Sequence, residues 1–119
     1  MKYLIFLTIF LNSLFAESYS SGRTDVAPVN NQLYIKECGS CHFPYQPGLL
    51  PANSWNKMMV NLDKHFGTDA SLTDEDFVTL SKYLNDNSAE KNMQYKRSNR
   101  IVSSLLPGQV ADSISTTPY

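Results

Sequence analysis

Cys38, Cys41 and His42 stand within five consecutive residues, and three prolines and a glycine follow at once: "ECGSCHFPYQPGLLP", residues 37–51. The chain has two cysteines and two histidines, so this stretch holds both thiols and one of the two imidazoles. A fold built on this chain has to present that cluster and bring any further partner to it. Each proline fixes its φ and removes a backbone donor, so the segment after His42 reads as a shaped loop rather than a strand or helix.

Four chemistries use two cysteines at this spacing. A structural zinc site takes four ligands, usually from two Cys/His pairs, and only His65 is left to complete one. A thioredoxin-like redox pair needs a βαβ setting, and no strand-rich segment is present. A disulfide across two residues within a helix would be strained. The fourth is the Cys-x-x-Cys-His attachment pattern of c-type haem. With the thiols of Cys38 and Cys41 one helical turn apart, both can reach the two vinyl groups along one haem edge. His42, four residues after Cys38, stays on that face and can turn its imidazole to the iron. A carbonyl near Pro44 or Pro47 is expected to accept the Nδ1 proton of His42 and fix its tautomer. The stretch is therefore read as the site of one covalent haem c, with Cys38 and Cys41 as thioether donors and His42 as proximal iron ligand.

The rest of the chain reads as all-α. A helix is expected from residue 29 to 41, with Tyr34, Cys38 and Cys41 on one face. A second spans "NSWNKMMVNLDKHFG", capped by Asn53 or Ser54 and stopped by Gly67, with Trp55, Met58, Met59, Leu62 and Phe66 as its apolar stripe. A third starts at the N-cap Thr73, carries Asp74, Glu75 and Asp76 in its first turn, buries Phe77, Leu80 and Leu84 with Tyr83 beside them, and ends at 85–87. A short helix is expected at 98–105, followed by extended chain. Trp55, Tyr45, Leu49 and Leu50 are candidates to wall the haem, or ordinary core. The charges of Lys57, Asp63 and Lys64 read as a solvated face.

The iron's sixth position has four candidates: His65, Met58, Met59 and Met93. His65 is the only other imidazole and joins the edge of the second helix's stripe. Met58 and Met59 lie on that stripe, where methionine more often fills core, and Met93 sits among polar residues.

"MKYLIFLTIFLNSLFAES" has the form of an export signal, with Lys2 before an apolar run that is short for a membrane span. Cleavage is expected after Ala16, with Ser18 as the second choice and an uncleaved N-terminal anchor as the alternative. Removing residues 1–16 leaves nine basic and eleven acidic residues, a net charge of −2. With no basic stripe, nucleic acid is not an expected partner. About 100 residues make a marginal core, which a haem would supplement.

"YIKECGSCHFPYQPGLLPANSW", "LDKHFGTDASL" and the closing "STTPY" together resemble the dihaem cytochrome c family of bacterial periplasms, from about Leu33 to Tyr119. The resemblance implies a small electron carrier, often associated with a membrane cytochrome b; histidines filling both iron positions would leave no place for substrate, so a carrier and not an enzyme is expected. It implies Cys38, Cys41 and His42 at the first haem and His65 as its distal ligand. Members carry a second Cys-x-x-Cys-His, and no cysteine follows Cys41 here. The expectation is one haem for these residues: 1–16 signal peptide, 17–28 tail, 29–87 haem domain, and 88–119 either a truncated second-haem region or the end of a natural one-haem relative. Two further readings stand beside the carrier: a fragment with impaired function, and a haem sensor or enzyme with an open sixth position.

Overall fold

The structure, a computed structural model, describes residues 25–117; the expected signal peptide and most of the N-terminal tail lie outside them. The described residues form four α-helices and four short 3-10 turns and contain no strand. No helix among them is long and apolar enough to cross a membrane.

Helix α1, Gln32–Cys38, begins where the Asn31 side chain accepts from the Tyr34 N–H at 2.9 Å, satisfying one of the orphan donors of a helix start. It stops three residues short of expectation, so Cys41 lies in the following turn and not on a helical face. The stop is steric and polar. The Gly39 N–H closes the helix on the Ile35 carbonyl at 2.9 Å, so tightly that a Cβ on Gly39 would lie 2.2 Å from that oxygen. The Ser40 hydroxyl takes the Glu37 carbonyl at 3.2 Å.

A 3-10 turn, Pro47–Leu49, then leads into α2, Ala52–Met59. Pro51 occupies the cap position, and the Ala52 N–H donates to the carboxylate of Glu90 at 2.9 Å, a cap supplied from 38 residues away. This helix too is shorter than its periodicity suggests. The Asn61 side chain takes the Lys57 carbonyl at 2.7 Å, and the chain tightens into the 3-10 turn Leu62–Lys64. Trp55 and Met59 are buried and Met58 and Leu62 partly so, but Phe66 has left the stripe and is 71% exposed.

Helix α3, Asp74–Asp86, follows the sequence reading except at Phe77, which is only partly buried. Thr73 accepts from the Asp76 N–H, the three acidic residues occupy the positive helix end, and Leu80 and Leu84 are buried. It packs on α2. Tyr34, Leu50, Trp55, Met59, Leu80, Leu84 and Ala111 form the core.

Residues after 88 are joined to that body. The 3-10 turn Ala89–Lys91 and helix α4, Lys96–Ser104, pack on the turn Pro47–Leu49. Ser98 is fully buried and its hydroxyl donates to the Gly48 carbonyl at 2.7 Å, while the Ala89 N–H donates to the Leu50 carbonyl at 2.9 Å. The Arg97 N–H reaches Asp25 at 2.9 Å, tying the start of the described chain to α4. Beyond α4, Ala111 is buried in the core, and a last 3-10 turn covers Ile114–Thr116.

Candidate haem site

The two histidines, 23 positions apart in the chain, meet in the fold. Their ring centres are 6.1 Å apart with planes inclined by 25°. Two imidazoles bound on opposite sides of one metal, with metal–nitrogen bonds of about 2 Å, have ring centres roughly 6 Å apart. The observed spacing therefore matches a pair that shares one iron, and it is too wide for face-to-face ring contact.

On the first side, His42 follows the turn at Gly39. Its Nδ1–H donates to the Phe43 carbonyl at 2.7 Å, which leaves Nε2 as the bare nitrogen. The expected carbonyl partner is thus Phe43 itself. Pro44 biases Phe43 away from helical backbone, consistent with a carbonyl turned aside from any helix ladder. The loop beyond is held by buried donors. The Tyr34 hydroxyl donates to the Tyr45 carbonyl, and the Trp55 indole N–H donates to the Pro47 carbonyl at 2.7 Å. Burial, then the neighbouring Cys38 and Tyr83, push the Tyr34 phenol far above its ordinary range, so it remains a donor. Tyr45 stays by the site, its ring 5.5 Å from that of His42. Trp55, Leu49 and Leu50 are already enclosed by protein.

On the second side, His65 ends the turn Leu62–Lys64 with extended backbone, and Phe66 and Gly67 follow at φ of 49° and 85°. The Thr68 N–H closes this tight turn on the His65 carbonyl at 3.0 Å, and the Ala70 N–H donates to Leu62 at 2.8 Å. Partial burial, then the proximity of His42, hold the His65 imidazole below its ordinary pKa. That favours the neutral ring, the form that binds metal. Phe66 sets its ring edge-on to His65 at 4.8 Å. A cleft of about 460 Å³ opens here, lined by Lys57, Met58, Asn61, Lys64, His65, Phe66 and Asp112.

Of the methionine candidates, Met58 lines this cleft, Met59 is buried in the core, and Met93 is in the segment before α4. Both cysteines are free thiols; Cys41 is exposed and Cys38 is half-buried. Burial, then the charge of Glu37, push the Cys38 thiol up to about 11. Among the described residues no three His, Cys, Asp or Glu side chains cluster together. The sequence reading passed over Phe43 and placed Phe66 in the apolar stripe of the second helix rather than at the site. A signal was present: each histidine is followed directly by phenylalanine, and both rings are left exposed, at 61% and 71%.

A small helical fold that presents Cys-x-x-Cys-His at the end of its first helix, with a second imidazole facing the first, is the fold of a c-type cytochrome. A sequence model of dihaem cytochrome c matches residues 34–118, and the chain belongs to that family. Its members are haem proteins of electron transfer. Among solved structures, the diheme cytochrome c from Rhodobacter sphaeroides is 34% identical at a TM-score of 0.68, the match covering 76% of this chain and 69% of that one. A crystal structure of DHC purified from Rhodobacter sphaeroides is 32% identical at a TM-score of 0.54, covering 68% and 79%. A search of curated proteins returned no match.

Proposed function

We propose that the protein is a periplasmic single-electron carrier that holds one covalent haem c within these residues. Cys38 and Cys41 form the thioether bonds, His42 is the proximal iron ligand and His65 the distal one. The bound haem supplies a one-electron iron couple. Around it, the Phe43 carbonyl keeps the His42 tautomer fixed, and the turn at Phe66–Gly67 holds His65 opposite. With an imidazole on each side, no coordination position is left for a substrate, so the protein carries electrons and is not an enzyme. Its partners are other redox proteins, with a membrane cytochrome b as the expected one by family.

The observation that carries this reading is the 6.1 Å approach of two imidazoles that start 23 residues apart, at the Cys-x-x-Cys-His motif. The test is expression with a haem-attachment system, followed by haem quantification and optical spectra of wild type and His65→Ala. One haem per chain and a low-spin spectrum that turns high-spin in His65→Ala are expected. Absence of covalent haem sinks the main reading. A low-spin spectrum unchanged in His65→Ala sinks the ligand assignment.

A further inference from the structure

Phe66 occupies a conformation that a side chain of its kind rarely takes. It is the one non-glycine among the described residues with positive φ, at 49°, and the clash of Cβ with the backbone makes that region unfavourable for a bulky residue. The protein does not compensate by burying the ring, which is 71% exposed. A strained residue with an open aromatic ring, directly after a functional histidine, calls for a reason. Two features supply one. The left-handed step at Phe66 closes the turn that holds His65, with the Thr68 N–H on the His65 carbonyl at 3.0 Å. And the ring stands edge-on to the imidazole at 4.8 Å, on the cleft that His65 also lines.

We propose that Phe66 is a positioning residue for the distal ligand: its backbone turns His65 toward the iron and its ring shields that bond from water and from competing ligands. The idea rests on His65 being the distal ligand, and deepens that reading. It explains the exposure, since the ring becomes apolar cover at the site once haem is bound. It also explains why glycine, which would remove the strain, does not occupy position 66. Glycine does occupy position 67, where φ is 85° and a Cβ would meet no atom within 4 Å. At 67 only the dihedral matters; at 66 the side chain itself is used.

The probe is carbon monoxide, which binds ferrous iron only where the sixth position opens. The haem-loaded chain is compared as wild type, Phe66→Gly, Phe66→Leu and Phe66→Tyr. Wild type is expected to be low-spin and to bind carbon monoxide poorly. Phe66→Gly tolerates the backbone but lacks the ring, and is expected to stay folded while binding carbon monoxide roughly tenfold more tightly or more, with a lower midpoint potential as water reaches the site. Phe66→Leu should fall between, and Phe66→Tyr should behave as wild type. Low-spin wild type with all variants indistinguishable from it overturns the role of Phe66 alone. A high-spin wild type that binds carbon monoxide readily overturns the distal assignment of His65, and this inference with it.

Discussion

His42 and His65, each followed by a phenylalanine, face each other and are held by different means. The loop after His42 is fixed by the whole fold. The carbonyls of Tyr45, Pro47, Gly48 and Leu50 receive hydrogen bonds from Tyr34 on α1, Trp55 on α2, Ser98 on α4 and the Ala89 N–H. Buried backbone acceptors that lose such partners cost about 1–3 kcal/mol each, so displacing this loop means breaking several elements at once. The turn at His65 depends on its own backbone: two local hydrogen bonds, Thr68 N–H on His65 and Ala70 N–H on Leu62, with a left-handed phenylalanine and a glycine. The His42 side is anchored by tertiary structure and the His65 side by local conformation. Under the proposed ligation, His65 is therefore the ligand expected to leave while the haem stays.

The largest effect expected from that difference is on haem retention. His42→Ala, made in the haem-loaded expression system, should greatly reduce the covalently attached haem recovered, scored by haem staining of denaturing gels. His65→Ala should leave the stained band unchanged and alter only the spectrum. Equal loss of haem in both variants would break the contrast between the two sides.

A smaller contrast lies in the glycines that precede and follow the site. A Cβ on Gly39 would sit 2.2 Å from the Ile35 carbonyl oxygen, so Gly39→Ala forces backbone movement at the end of α1 and should cost about 3 kcal/mol. Gly67 has open space around it and only its φ of 85° is unusual, so Gly67→Ala should cost about 1 kcal/mol. Denaturant melts of the haem-free chains measure both. If Gly67→Ala proves the more damaging, the distal turn is held more tightly than its few contacts imply.

Between these falls the link from the C-terminal region to the proximal loop. Ser98→Ala removes the buried donor on the Gly48 carbonyl and should destabilise by about 2 kcal/mol, without changing the environment of His65. A melt of that size with an unshifted wild-type-like optical spectrum in the haem-loaded protein is the expected pair of results.

How much was legible in the sequence follows the range of the forces involved. Helix α3 could be read almost entirely, because its cap at Thr73, its acidic first turn and its Leu80, Leu84 spacing are all local; only Phe77 is less buried than expected. Helix α2 could not. Its apolar spacing continues through Leu62 to Phe66, but the helix ends where Asn61 takes the Lys57 carbonyl, and its start is capped by a carboxylate 38 residues away. Nothing in a local pattern carries that cap. At the site, the motif Cys38, Cys41 and His42 stood out in the sequence because its spacing is itself a chemical pattern. His65 was one candidate among four, and its ring 6.1 Å from that of His42 is what supports its proposal as the second ligand. Phe66 was misplaced in the core stripe because periodicity says nothing of a turn that reverses after residue 64.

The smallest effect concerns the two thiols before haem is attached. Cys38 ends α1 beside the core while Cys41 is in the exposed turn, so one belongs to the anchored body and the other to solvent. Burial, with Glu37 as the lesser cause, raises the Cys38 thiol from 9.0 to about 11. The folded chain therefore keeps this proton where the unfolded chain has released it. The stability contributed is full below pH 9 and is lost as pH rises toward 11. At pH 8 the reactive thiolate of Cys38 is only about one part in a thousand, and partial burial further slows reagents. Brief treatment of the folded haem-free chain with iodoacetamide at pH 8 should label Cys41 well before Cys38, read by peptide mass spectrometry, and denaturant should abolish the difference. Glu37→Gln should speed Cys38 labelling slightly, since it removes only the lesser cause. Equal labelling of both thiols in the folded chain would mean that Cys38 is not part of the anchored side.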